Sequence, residues 1–268
     1  MIGADGGADA DHPKEACGVF AVHARGQSVA HVTYLGLFAL QHRGQEAAGM
    51  AVSDGEHMTV VKDQGLVASV FNERTLAGLV GHLAIGHCRY STTGSSTWRN
   101  AQPVYRSVGD HMLALGHNGN LVNTEELARE AGMLAGTVTS DSDLIAELIA
   151  AELTARGEGD AAVADVHAVD RGVGDGAGGP GHAGHGVVEL EEAVAAVVTR
   201  LRGAFSLVLM DETRIIGVRD PHGFRPLCLG RLDGGWVLAS ESPALDIVGA
   251  EFVRELEPGE MVVVDDDG

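Results

Sequence analysis

The chain has 268 residues, with 38 acidic against 18 basic side chains and a formal net charge of −20. This length is enough to bury a sizeable core as one large domain or two small ones, and no apolar run approaches the roughly 18 residues of a membrane span. The acidic balance argues against a nucleic-acid partner, because neutralising phosphates requires a basic face.

Two segments differ in composition from the rest. Residues 1–16 are acidic and rich in Gly and Ala, which predicts a poorly ordered leader without the features of a secretory signal. Residues 157–188 are predicted to be a disordered Gly-rich surface insertion. The histidines of that insertion lack the rigid frame that a metal site needs. Residues 17–268, apart from the insertion, are expected to form one domain.

The remaining hydrophobic pattern is regular. Short apolar runs predict ten strands, at Gly18–Val22, Ala47–Val52, Met58–Val61, Leu83–His87, Met112–Gly116, Phe205–Met210, Ile215–Val218, Leu227–Leu229, Trp236–Ala239 and Met261–Val264. Helical periodicity predicts four helices, at Val29–Leu40, Glu125–Gly132, Leu144–Thr154 and Glu189–Leu201. Capping boxes are expected at Asn123 with Glu126 and at Ser140 with Asp143, and Ser242-Pro243 suits the start of a short helix. Because strands and helices do not alternate, we expect an α+β fold with antiparallel or mixed sheets and helices packed outside.

Cysteine usage indicates a reducing compartment. The three cysteines, at positions 17, 88 and 228, include no CxxC pair, so neither a disulfide framework nor a zinc site is expected. The sequence therefore favours a cytoplasmic protein.

Cys17 opens an apolar strand directly after the leader, and two interpretations are open. A lone cysteine at a strand start is most often a small buried hydrophobe. Alternatively, removal of residues 1–16 would give Cys17 a free α-amine with a pKa near 8. One residue would then supply both the nucleophile and its base.

Three further segments have polar residues beside predicted strands or helices. Arg89 follows a buried strand and can hold a carboxylate through two parallel bonds or pair with a surface acid. Asn118-Gly119 is predicted to form a tight turn at a strand end. This turn can either form an oxyanion hole or simply connect two strands of a hairpin. Asp141, in Ser140–Asp143, can present a carboxylate to an ammonium group or merely cap a helix.

Taken in order, the motifs resemble one family. They are Glu15–Phe20, Leu40–Gly49, Gly86–Gly94, His117–Asn120, Ser140–Ser142 and Arg219–Leu227. From Cys17 to about Val264 the chain resembles the glutaminase half of the amidophosphoribosyltransferases, which are class II glutamine amidotransferases. The resemblance implies the four-layer αββα fold of N-terminal-nucleophile hydrolases, with two sheets between helices. Gln41–Glu46 favours this family over asparagine synthetases and glucosamine-6-phosphate synthases.

The resemblance also implies roles for individual residues. Cys17 would attack the side-chain amide of glutamine and form a thioester, with Asn118 and Gly119 as the oxyanion donors. Arg89, assisted by Thr92, would bind the α-carboxylate of glutamine, and Asp141 its α-ammonium group. Arg43 would shape the site near the nucleophile. Asp220, Arg225 and Pro226 are expected to be structural, with Arg225 tying down its loop.

The resemblance covers only the glutaminase half of that enzyme, and we expect the phosphoribosyltransferase half to be absent from these 268 residues. In the family, the released ammonia makes 5-phosphoribosylamine from phosphoribosyl pyrophosphate in the first step of de novo purine synthesis. We therefore expect glutamine and a missing synthase domain or subunit as partners, with homo-oligomer formation left open. No cofactor or metal is expected here: Mg²⁺ belongs with the missing half, and Cys228 alone cannot hold an iron–sulfur cluster.

Two alternatives stay open at this point. The chain could be a truncated, non-catalytic docking or regulatory module for a separate synthase subunit. It could also be the glutaminase domain of another class II amidotransferase.

Overall fold

A computed structural model of the chain describes residues 17–90, 98–109, 111–133, 140–168 and 190–268, with side chains described in all of these except 157–168. Its strands are β1 Gly18–Ala24, β2 Ala47–Ser53, β3 Met58–Gln64, β4 Leu83–Arg89, β5 Val104–Val108, β6 His111–Leu121, β7 Gly203–Met210, β8 Ile215–Arg219, β9 Cys228–Leu232, β10 Gly235–Ala239, β11 Glu251–Glu255 and β12 Met261–Val264. Its helices are α1 Val29–Leu40, α2 Val67–Val70, α3 Glu73–Gly78, α4 Thr124–Glu130, α5 Asp141–Ala168, α6 Leu190–Val198 and α7 Ser242–Ile247, with 3-10 turns at Gln41–Arg43 and Trp98–Asn100.

The strands form two antiparallel sheets. The first has seven strands in the order β11-β9-β10-β1-β4-β2-β3, and the second has five in the order β12-β8-β7-β6-β5. Every residue of β1 and β4 is buried, because other elements cover both faces of these central strands. Continuous rather than alternating apolar runs are typical of such strands.

Three clusters of buried side chains define four layers. The first cluster packs α1 and α7 against the first sheet, and includes Phe20 and Leu37. The second packs α4, α5 and α6 against the second sheet, and includes Phe205 and Ile145. The third lies between the two sheets. The predicted α+β fold, with two antiparallel sheets between helical layers, is confirmed.

The ten predicted strands are present, and the sequence analysis missed two more. β5 exposes about every second side chain, and β11 exposes most of its side chains. Both strands therefore lack the apolar runs on which the strand predictions rested. β6 is also longer than predicted. It continues through Asn118 and Gly119, which pair with Ser206 and Phe205 of β7, so the predicted tight turn at this position is wrong.

Some predicted helix boundaries and caps also differ. α5 extends through Ala168, into the predicted insertion, where alanines favour a helix; residues 169–188 of the insertion, and the leader 1–16, lie outside the described residues. The Asn123 side chain does not cap α4, because it bonds the backbone of Arg200 and Arg202 instead. The Ser140 hydroxyl does accept from the Asp143 N–H at 3.2 Å.

Among the described residues, no helix combines the length and the apolar character needed to cross a membrane.

Candidate active site

Cys17 lies directly before β1, where the pairing of β1 with β4 brings it beside Arg89 and Tyr90. The antiparallel register sets Gly18 opposite Cys88. The Tyr90 N–H donates to Cys17 Sγ at 3.3 Å, and Sγ lies 3.5 Å from the Tyr90 carbonyl oxygen. The thiol is therefore held against the backbone of Tyr90, one residue beyond Arg89.

Burial raises the pKa of the Cys17 thiol. The hydrogen bond from Tyr90 and the positive charges of Arg89 and Arg43 oppose this effect without cancelling it. Because the thiolate is the nucleophilic form, a raised pKa leaves the thiol protonated near neutral pH. Attack on a substrate at this pH requires a nearby base.

Arg43 fixes the backbone of the nucleophile. It ends the 3-10 turn that follows α1, and its Nε donates to the Cys17 carbonyl oxygen at 3.1 Å. Its guanidinium also pairs with Glu241, whose other carboxylate oxygen lies 3.0 Å from His42 Nε2. Arg43 therefore lies where it can shape the surroundings of the nucleophile.

Arg89 ends β4 and is only 7% exposed. An oxygen of Glu46 lies 3.7 Å from its Nη1, well beyond the roughly 2.8 Å of a strong charge-assisted hydrogen bond. This long contact does not provide the close bidentate pairing that a surface acid would give. Thr92, predicted to assist Arg89, lies outside the described residues.

Asn118 is fully buried within β6. Neither its amide oxygen nor its amide nitrogen has a hydrogen-bond partner in the described part of the chain. An unsatisfied buried amide costs about 1–3 kcal/mol, so a native fold that keeps one calls for a specific explanation. A bound group that accepts a hydrogen bond from the amide during a reaction is such an explanation.

Gly119 allows β6 and β7 to approach closely. Its φ is +156°, and a Cβ at this position would lie 2.1 Å from the Ala204 carbonyl oxygen and 2.9 Å from His117 Nε2. A side chain cannot be accommodated here without movement of the backbone. Glycine is therefore required by packing as well as by its backbone conformation.

Asp141 begins α5 and is tied to the end of β6. Its Oδ2 accepts the Leu121 N–H at 2.7 Å, and burial raises the pKa of its carboxyl group. Ser140, not Asp141, caps the helix. Asp141 is thus fixed near the strand that carries Asn118 and Gly119, and the helix-cap alternative does not describe its contacts.

A buried bond connects the two halves of the site. His87 of β4, two residues before Arg89, lies with its Nε2 3.0 Å from the His117 carbonyl oxygen of β6. This contact joins the sheet that carries Cys17 and Arg89 to the strand of Asn118. The sequence analysis missed His87, and it also missed Tyr90 and Glu241, whose roles depend on contacts between distant segments.

The loop after β8 is held by the buried Asp220, whose structural role was predicted, and by Arg219. The buried carboxylate of Asp220 accepts the N–H groups of Phe205, His222 and Arg225. Arg219 donates to the carbonyl oxygens of Arg225 at 3.1 Å and Gly223 at 3.0 Å. The buried Nε of Arg225 has no hydrogen-bond partner among the described residues, and the role of Arg225 in tying down the loop stays a prediction.

One group of described residues has ligand atoms at metal-site spacing: His23, His82 and Asp266. Asp266 accepts hydrogen bonds from Arg25 on both carboxylate oxygens, and the Arg25 charge opposes a cation there. We interpret this group as an ion pair flanked by histidines. Cys228 is a buried free thiol, and burial raises its pKa to about 11; its lack of a cluster role stays a prediction.

Comparison with known proteins defines the class. A family model described as "Glutamine amidotransferases class-II" matches residues 34–185, and one described as "Glutamine amidotransferase domain" matches residues 183–247. The chain belongs to the class II glutamine amidotransferases.

Within that class, the similar curated proteins are amidophosphoribosyltransferases. The enzyme of Mycobacterium leprae is 50% identical to this chain, and the match covers 98% of this chain and 43% of the enzyme. The enzyme of Synechococcus elongatus is 44% identical, and the match covers 96% of this chain and 47% of the enzyme. The solved glutamine phosphoribosylpyrophosphate amidotransferase of Bacillus subtilis, in complex with ADP and GMP, has a TM-score of 0.74 and 36% identity over 94% of this chain and 48% of that one. The chain thus spans about half the length of these relatives.

Proposed function

We propose that this chain hydrolyses glutamine to glutamate and ammonia, with Cys17 as the nucleophile. The observation that carries the proposal is the position of the Cys17 thiol, held at the Tyr90 backbone directly beside the buried Arg89. A nucleophile beside a fixed cation suits a substrate with a carboxylate close to an electrophilic carbon.

The substrate contacts follow from the charges of free glutamine. Arg89 binds the α-carboxylate, and Asp141 binds the α-ammonium group. One fixed cation and one fixed anion select an amino acid over a neutral amide. Thr92 assists at the carboxylate, and Arg43 keeps the Cys17 backbone in place.

The chemistry requires a base, which the Cys17 α-amine supplies once residues 1–16 are removed. The amine takes the thiol proton, and Sγ attacks the side-chain carbonyl carbon of glutamine. The tetrahedral oxyanion is stabilised by the Asn118 amide and the Gly119 N–H, each worth about 3–4 kcal/mol. The C–N bond then breaks, the proton goes to the leaving ammonia, and water hydrolyses the γ-glutamyl thioester to glutamate and free thiol.

The ammonia serves a synthase domain. The similar proteins are named amidophosphoribosyltransferases, and this chain matches less than half of their length. We propose that ammonia released here reacts with phosphoribosyl pyrophosphate on the remaining half to give 5-phosphoribosylamine for purine synthesis. A cytoplasmic location accords with this role and stays a prediction.

The mechanism is tested on purified protein by intact mass and glutaminase activity. We expect activity only in protein that has lost residues 1–16, and loss of activity with retained circular dichroism in Cys17→Ala. Cys17→Ser is the conservative variant and should keep at most a trace of activity. A protein that retains residues 1–16 and still turns over glutamine would contradict the α-amine as base.

A second test uses a glutamine-like electrophile, such as a chloroketone analogue, with peptide mapping by mass spectrometry. We expect one adduct, at Cys17, and protection by glutamine. The buried thiols of Cys88 and Cys228 are internal controls. Absence of the Cys17 adduct in leader-free protein would instead support the non-catalytic docking module.

A further inference from the structure

Among the described residues, the part of β6 that carries the oxyanion donors has a strand neighbour on only one side. On one side it pairs with β7 through Leu121. On the other side, β5 pairs with it only as far as Val104 opposite Leu115. Continuing that register would set residue 102 opposite His117, but Pro103 has no N–H to extend a ladder. The backbone of His117 therefore needs another partner on this side.

The side chain of Gln102 takes the place of the missing strand. Its Oε1 accepts the His117 N–H at 2.7 Å, and its Nε2 donates to the His117 carbonyl oxygen at 3.5 Å. Gln102 is 7% exposed, so water does not compete strongly for these groups. A single amide thus contacts both polar groups of the residue directly before Asn118.

His87, in the opposite sheet, contacts the same His117 carbonyl oxygen through its Nε2. Because a carbonyl oxygen only accepts, His87 must carry its proton on Nε2. Burial lowers the pKa of His87 to about 3, so the ring is neutral and this tautomer is available. The contact runs from β4, which also carries Arg89, to the peptide that joins His117 to Asn118.

The His117 ring provides a third connection, toward the helix of Asp141. Its Nδ1 lies 3.3 Å from the Ser142 hydroxyl, and burial lowers the pKa of His117 to about 4. A neutral ring in this position accepts from or donates to a hydroxyl without placing a charge in the core. The three proposed substrate-contacting elements, β4, β6 and the start of α5, therefore meet at His117.

We propose that Gln102 and His87 are positioning residues that hold the His117 backbone, and through it the Asn118–Gly119 oxyanion pair, in register with Cys17 and Arg89. This inference rests on the proposed glutaminase function. Neither residue contacts the substrate. Both act by fixing a peptide whose misplacement by about 1 Å is enough to reduce a rate about 100-fold.

The test compares two buried amides that make the same kind of contact. Gln102→Met removes both bonds to His117 and keeps the length of the side chain. Asn123→Leu is the matched control, because Asn123 is 8% exposed and bonds the Arg200 carbonyl oxygen and the Arg202 N–H, both at 3.0 Å. Both variants should lose stability to a similar extent in urea unfolding.

Their kinetics should differ. In protein with residues 1–16 removed, we expect Gln102→Met to lower kcat for glutamine hydrolysis by about 10–100-fold with KM changed less than about 3-fold. Glutamate γ-semialdehyde, whose thiol adduct resembles the tetrahedral intermediate, should bind more weakly by the same factor, whereas the product glutamate should bind unchanged. His87→Gln can donate to the same carbonyl oxygen and should lose less activity than His87→Phe.

The outcomes separate the two proposals. A wild-type, leader-free protein without glutaminase activity refutes the proposed function itself. If the wild type is active and Gln102→Met has a kcat within 2-fold of it, the positioning role is refuted, whereas the proposed function is not. Equal losses of kcat in Gln102→Met and Asn123→Leu also refute it, because general destabilisation would then explain the effect. Should Gln102→Met not fold, Gln102→Glu, which keeps the acceptor to the His117 N–H, carries the same kinetic comparison.

Discussion

Replacement of Asn118 by Leu should abolish most activity and stabilise the fold. Both amide atoms of Asn118 are buried without a hydrogen-bond partner in the described structure, and such a group costs about 1–3 kcal/mol. Leu has nearly the same shape and no polar atom, so the free energy of unfolding should rise by up to that amount. For a domain of this size each kcal/mol corresponds to about 2–4 °C in Tm.

The same change removes the proposed donor to the oxyanion. Loss of one such donor lowers kcat by about 100–1,000-fold, which corresponds to about 3–4 kcal/mol of transition-state stabilisation. The donor contributes little to ground-state binding, so KM for glutamine should change much less. Differential scanning calorimetry and ammonia release, measured on the same leader-free preparations, give the two quantities.

Asn123→Leu is again the control, because it makes the identical substitution at a buried amide that is satisfied. It leaves the Arg202 N–H and the Arg200 carbonyl without their partner, so it should lower Tm and spare kcat. Opposite signs of the Tm change in the two variants are the expected signature. A fall in Tm for Asn118→Leu, or a kcat within 10-fold of wild type, would refute the assignment of this amide.

Three other predictions follow from contacts at the site. Gly119→Ala places a Cβ 2.1 Å from a backbone oxygen of β7, so we expect poor folding and no activity; well-folded protein with normal kcat would contradict this packing. Arg89→Lys loses the two-pronged grip on a carboxylate and should raise KM for glutamine about 10–100-fold, whereas Arg25→Lys, at an exposed ion pair, should leave KM unchanged. Burial lowers the pKa of His87 to about 3 and of His117 to about 4, so the unfolded chain binds more protons below the ordinary value near 6.5. Stability is therefore fully present above pH 6.5 and falls by up to about 1.4 kcal/mol per pH unit for each histidine between pH 6.5 and 4. Urea unfolding at pH 7, 6 and 5 measures this slope, and His87→Gln should reduce it by up to that amount; an unchanged slope would contradict a neutral buried His87.

Local sequence patterns determined much of the fold. β1 and β4 could be predicted because they are covered on both faces, so that most of their residues are apolar and follow one another without alternation. β5 and β11 could not, because their exposed side chains leave no apolar run. The Asn118-Gly119 pair has the residue types of a hairpin turn, but pairing with β7, distant in sequence, keeps it within a strand.

The sequence by itself determined the family, through ordered motifs that contain a cysteine, an arginine, an Asn-Gly pair and an aspartate. Only the tertiary structure decided how these groups are held: Cys17 by the backbone of Tyr90, Asp141 by Leu121, and the backbone before Asn118 by Gln102 and His87. It also showed that Arg219 donates to the backbone of the loop after β8. These contacts join residues up to 73 positions apart, and strand register, which no local pattern records, sets which of them meet.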